Sequence, residues 1–145
     1  MKQIEIGACV PGSDTKTWLA PLVEAGFECV ALNFHMSLGG TDLHALAEQV
    51  MPYLREKGVR VATIGYYCNP IENTEQRKTL ESVIDAAPLF GAPMVSTFAG
   101  AYEGESVEKA IPKFGEVFRE LGKRAADNGL KIAIENCPMD GTWQR

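Results

Sequence analysis

Gly129–Glu135 reads GLKIAIE: a glycine straight after a helix-like segment, then an apolar run that closes on a carboxylate. The same phrase occurs three times earlier, as GFECVAL from Gly26, GVRVATI from Gly58 and GAPMVST from Gly91. The four glycines stand 32, 33 and 38 residues apart. Each sits where a helix ends and a left-handed residue is wanted. A further strand, QIEIGACV, opens the chain. Helices are expected between the strands, with start signals at Ser13 or Asp14, Thr41 or Asp42, Asn73 or Thr74, and Ser106. In the last helix Ile111, Phe114, Val117, Phe118 and Leu121 recur at helical spacing, as one buried face requires. Pro21, Pro52, Pro88 and Pro112 kink or delimit these helices.

The order is therefore βαβαβαβαβ, an α/β chain whose strands pair in parallel through right-handed crossovers. Two architectures suit it. One is a partial TIM barrel, the first four β/α units plus strand five of a (β/α)8 fold. The other is a five-stranded doubly wound parallel sheet. A length of 145 residues favours the second. Against it, no covering helix follows the fifth strand, and neither G-x-G-x-x-G nor G-x-x-x-x-G-K occurs. Either way residues 1–145 form one α/β domain, and ligands belong at the carboxyl ends of the strands.

Composition narrows the function. Apolar residues make up 46% of the chain and charged residues 23%, which is the globular range. The formal charge is −5 and neither half is basic, so no nucleic-acid partner is expected. No apolar run approaches the 18 residues of a membrane span, and Glu5 interrupts the place of a signal-peptide core. Cys9, Cys29, Cys68 and Cys137 are scattered without a C-x-x-C pair, which reads as reduced thiols in a cytoplasmic protein.

The strand ends carry the chemistry. They read ACVPG, LNFHMS, GYYCNP, TFAGAY and ENCPMDGTW, and hold Asn33, His35, Tyr66, Tyr67, Asn69, Tyr102, Glu135, Asn136 and Trp143. Such groups hydrogen-bond and stack, as a sugar or polyol demands. A lone buried carboxylate is expensive unless paired or metal-bound, so Glu135 is the first candidate. His35 is either a substrate or acid–base group or a loop residue bonded to backbone. His44, within a helix, reads as a surface residue. Tyr66 and Tyr67 are adjacent in a strand and face opposite sides, so at most one lines a pocket.

The run IAIENCPMDGTW, with IGYYCNP, STFAG and IEIGACVPG before it, resembles the xylose-isomerase-like barrel superfamily, and more narrowly the bacterial sugar phosphate isomerases/epimerases. The resemblance implies a (β/α)8 barrel with a divalent metal, Mn2+, Mg2+ or Co2+, at the carboxyl mouth. It implies a reaction that moves hydrogen between neighbouring carbons of a sugar, sugar phosphate or polyol. Glu135 matches the family's first metal ligand and is the catalytic candidate. His35 and the segment GYYCNP, which holds Tyr66, Tyr67 and Asn69, match positions that line the substrate pocket; Asn33 is a further substrate-binding candidate, and Trp143 either caps an apolar pocket wall or simply packs. The remaining ligands lie on strands six to eight, which this sequence lacks. The expectation is a half-barrel that holds the first acid of a site, binds no metal alone, and self-associates through its exposed barrel edges as a homo-oligomer. Apurinic endonucleases share this barrel, but their sites use several histidines and a basic groove; this chain has two histidines and an acidic balance.

Overall fold

The computed structural model describes residues 4–136. Five strands, β1 (Gly7–Pro11), β2 (Cys29–His35), β3 (Arg60–Tyr67), β4 (Met94–Phe98) and β5 (Lys131–Glu135), alternate with α1 (Thr15–Glu24), α2 (Leu43–Lys57), α3 (Thr74–Ala86) and α4 (Val107–Asp127). Every pairing is parallel, and the strands lie in the order β1-β2-β3-β4-β5. That order excludes the doubly wound alternative. A doubly wound sheet reverses its direction of growth and places helices on both faces, whereas sequential right-handed crossovers put every helix on one face. The chain is the first four β/α units and the fifth strand of a (β/α)8 barrel.

Burial shows the one-sided layering. Val10, Val30, Leu32, Phe34, Val61, Ile64, Tyr66, Val95 and Thr97 point into the helix layer and are all buried. The alternate residues Ala31, Asn33, Thr63, Ser96, Phe98 and Ala133 are half-buried on the inner face. A register shift between Val30 and Ala31 absorbs one extra residue of β3 and keeps the alternation in phase beyond it.

The repeat glycines do what the sequence asks of them. Gly58 takes φ 69° after α2; its N–H donates to the Arg55 carbonyl, and that of Val59 to the Leu54 carbonyl at 2.9 Å. Of the expected caps, Asp42 accepts from the backbone N–H groups of His44 and Ala45, and Asn73 accepts from that of Gln76. Asp14 and Ser106 hold the cap positions of α1 and α4 without a side-chain cap bond. In place of a cap, a 3-10 turn (Gly12–Asp14) leads into α1, and the Thr15 hydroxyl donates to the Gly12 carbonyl at 2.7 Å. Pro21, Pro52 and Pro112 sit inside continuous helices; Pro88 opens the 3-10 turn (Ala87–Phe90) after α3.

The expected buried face of α4 is only partly buried. Val117 and Leu121 are covered, but Ile111 is 58% exposed and the stacked rings of Phe114 and Phe118 are half-exposed. The cause is position. The helix packs against α3 and β5, and among the described residues no helix flanks its other side.

Candidate functional site

Strand register assembles the site. His35 pairs with Tyr67, and Phe98 pairs with Glu135, all on the inner face at the carboxyl ends of β2, β3, β4 and β5. The His35 and Tyr67 rings stack at 5.0 Å and 18°, and Tyr67 meets Phe98 at 5.0 Å and 49°. These separations fall in the favourable aromatic range. The four side chains form one row across the mouth of the sheet: imidazole, phenol, phenyl, carboxylate. Phe98 was not among the sequence candidates. Its signal was its place as the last residue of strand four, two residues beyond Ser96 on the inner side.

The layer beneath is small and polar. Asn33 lies opposite Gly65, and Gly65 opposite Ser96, which faces Ala133. The Thr63 and Ser96 hydroxyls are 2.9 Å apart, and Thr63 donates to the Met94 carbonyl. Gly65 is glycine for want of room. A Cβ there would meet Asn33 Oδ1 at 2.4 Å and Tyr67 Cε2 at 2.7 Å. Asn33 Oδ1 is buried and has no hydrogen-bond partner among the described residues.

Tyr66 turns the other way, as adjacency in a strand requires. It is buried in the helix layer, and its hydroxyl donates to the Met36 carbonyl at 3.1 Å. Met36 holds φ 57°, a conformation non-glycine residues avoid, and its N–H donates to the Tyr67 carbonyl at 2.9 Å. Together these bonds pin the turn that follows His35. Tyr66 therefore stands apart from the row and supports its first member from behind.

Asn69 also works through backbone. Its amide N–H donates to the Ala101 carbonyl at 2.7 Å, and its Oδ1 accepts from the Ala101 N–H at 3.2 Å. It thus ties the loop after β3 to the loop after β4. Beside it lies an open cleft of about 480 Å³ lined by Met36, Glu72, Asn73, Gln76, Tyr102 and Glu103, none of them in the row. Asn136 is exposed just beyond β5, His44 lies near the start of α2, and Trp143 and Cys137 fall outside the described residues.

Electrostatics separate the two tyrosines. Burial, and then the nearby Glu135 carboxylate, push the Tyr67 phenol up, so it stays a protonated donor at neutral pH. Burial does the same to Tyr66, helped by Cys68. The Cys68 thiol, fully buried, is pushed up to about 11 by burial, which makes it inert rather than nucleophilic. Cys9 is exposed and Cys29 buried, both as free thiols.

A metal is a poor fit to these residues alone. Among the described residues no three His, Cys, Asp or Glu side chains converge on a point. Glu135 and His35 are the ligating types in the row, and two aromatic rings stand between them.

The chain belongs to the xylose isomerase-like TIM barrel family, whose model matches residues 19–144. No curated protein matches it significantly. Solved structures match its fold. A D-psicose 3-epimerase crystallised in the presence of D-fructose has a TM-score of 0.73 at 13% identity, over 96% of this chain and 54% of that one. A xylose isomerase-like TIM barrel protein from Mycobacterium smegmatis, in complex with magnesium, gives 0.62 at 21% identity, over 90% and 54%. An AP endonuclease, family 2, from Brucella melitensis gives 0.64 at 18% identity, over 90% and 55%. The chain spans about half the length of each. Among the described residues, no helix is long and apolar enough to cross a membrane.

Proposed function

We propose that this chain supplies the amino-terminal wall and the first acid of an isomerase or epimerase acting on a sugar, sugar phosphate or polyol. The single observation that carries this reading is the row His35–Tyr67–Phe98–Glu135, a carboxylate beside an aromatic wall at the carboxyl mouth of a parallel sheet. Family membership supports it, and so does the acidic balance, which suits a neutral polyol better than a phosphodiester backbone.

Glu135 takes the proton from a carbon next to a carbonyl. The C–H bond breaks, its electron pair enters the enediolate, and the proton rests on the carboxylate. Returning it to the neighbouring carbon on the same face, while the hydroxyl proton passes from the oxygen of the deprotonated carbon to the former carbonyl oxygen, gives the isomer. Returning it to the original carbon on the opposite face gives the epimer, and that needs a second acid across the sugar. Tyr67, His35 and the Asn33 amide are the donors and acceptors on the inner face that hold hydroxyls and carbonyl oxygen. A divalent cation, Mn2+, Mg2+ or Co2+, requires ligands beyond the described residues.

The test is hydrogen exchange. The protein is incubated with D-fructose and other ketoses in D2O, with and without Mn2+, and deuterium at the carbon next to the carbonyl is followed by NMR. Glu135→Gln is expected to lower incorporation by at least 10²-fold. Full exchange in that variant refutes the role of Glu135. A second reading, a half-barrel scaffold without catalysis, draws on the absence of a convergent ligand cluster among the described residues. It predicts no exchange with any metal.

A further inference from the structure

We propose that Tyr67 is a positioning residue for Glu135, its phenol reaching over the Phe98 ring to orient the carboxylate at the mouth of β5. The inference rests on the reading of Glu135 as the working acid.

Glu135 ends a five-residue strand and is exposed. A glutamate in that place has three free torsions, and freezing such a side chain carries an entropic cost. A general base must sit in reach of one proton, so something has to hold it. Its direct neighbour in the row, Phe98, has no donor. His35, three strands away, is too far. Tyr67 is two strands away, about 10 Å at ordinary strand spacing. Tyrosine and glutamate together span that gap.

Tyr67 is itself well held. His35 stacks on it at 5.0 Å, Phe98 meets it at 5.0 Å, and it is 8% exposed. The Thr63 and Ser96 hydroxyls lie in the layer below on the same inner face, joined to each other at 2.9 Å. Glycine at position 65 leaves the room into which the Tyr67 ring settles. The ring is thus clamped on both sides, and its hydroxyl is the side chain's one polar atom.

The experiment labels the chain with 13C at tyrosine Cζ. Four tyrosines give four signals, and Tyr67→Phe identifies one by its loss. Replacement of the other three tyrosines by phenylalanine identifies it equally if Tyr67→Phe does not fold. The signal is expected to move on Glu135→Gln, because the phenol loses its charged acceptor. In the D2O exchange assay Tyr67→Phe is expected to lower the maximal rate about 10- to 100-fold with little change in KM. A Cζ signal indifferent to Glu135→Gln overturns the proposal even if exchange depends on Glu135. A signal that moves in a protein showing no exchange keeps the Tyr67–Glu135 coupling and refutes the enzyme reading instead.

Discussion

Gly65→Ala tests how tightly the inner face is built. The added methyl would lie 2.4 Å from Asn33 Oδ1 and 2.7 Å from Tyr67 Cε2, both far inside contact distance. One of the two must give way by about 1 Å. Asn33 Oδ1 is already buried without a partner among the described residues, so its amide has little to lose by turning. The Tyr67 ring has more to lose, since each aromatic contact is worth about 0.5–1.5 kcal/mol and it makes two. Overpacking of this kind costs about 1–3 kcal/mol. For a chain of 145 residues, unfolding entropy scaling gives about 3 °C of Tm per kcal/mol, so the expected fall is about 3–10 °C. Thermal unfolding by circular dichroism measures it, and the near-ultraviolet spectrum reports the tyrosine and phenylalanine packing. A Tm within about 1 °C of wild type, with an unchanged near-ultraviolet spectrum, would show that the layer has slack and that glycine here is incidental.

Other consequences are simpler to state. Asp42→Ala removes the acceptor for two backbone N–H groups at the start of α2 and is expected to destabilise by about 1 kcal/mol, read from urea midpoints; Asp14→Ala, without a cap bond to lose, is expected to change little. Cys68 is raised from 9.0 to about 11 in the folded chain, so its buried thiol contributes stability below pH 9 that is lost as pH climbs towards 11. The loss is roughly 2–3 kcal/mol, and Cys68→Ala should flatten that part of the stability–pH curve; an equal slope in both proteins refutes it. The 145-residue chain is expected to self-associate through its outer strands and the exposed Ile4, Ile6, Ile111 and Ile134, so light scattering that gives a monomer mass at every concentration counts against it.

The architecture was legible because its signals are local and repeated. A glycine after each helix, followed by an apolar run, needs no tertiary information, and Gly58 and Gly91 take the left-handed turn expected of them. The choice between barrel and doubly wound sheet was not local. It depended on which strand adds beside which, and only the sequential order settled it. Among the candidate residues, parity within one strand separated Tyr66 from Tyr67 correctly in principle but could not say which faced inward. That depends on the extra residue in β3 and on which face the helices cover. Asn69 was legible as a strand-end amide and does line the open cleft, but its tie to the loop after β4, both ends of its amide meeting Ala101, was not. Phe98 was passed over because a phenylalanine closing an apolar strand carries no polar signal. Its part is visible only when Tyr67 is found against it.

Stability and chemistry in this chain are two faces of one alternation. Residues of one parity fill the helix layer with Val10, Leu32, Ile64 and Val95 at full burial, and these hold the strands in register. Residues of the other parity are small in the lower layer, with Asn33, Gly65, Ser96 and Ala133, and large at the mouth, with His35, Tyr67, Phe98 and Glu135. The two sets cannot be tuned separately. A one-residue slip of β5 against β4 would bring Ile134 to the mouth and turn Glu135 to the helix side, taking the acid out of the row. The proposed chemistry therefore depends on the register of the strand that carries the acid. Glu135→Leu, at an exposed strand end, should leave the fold at least as stable while abolishing exchange. A marked loss of stability instead would mean that the carboxylate holds the strand end in place.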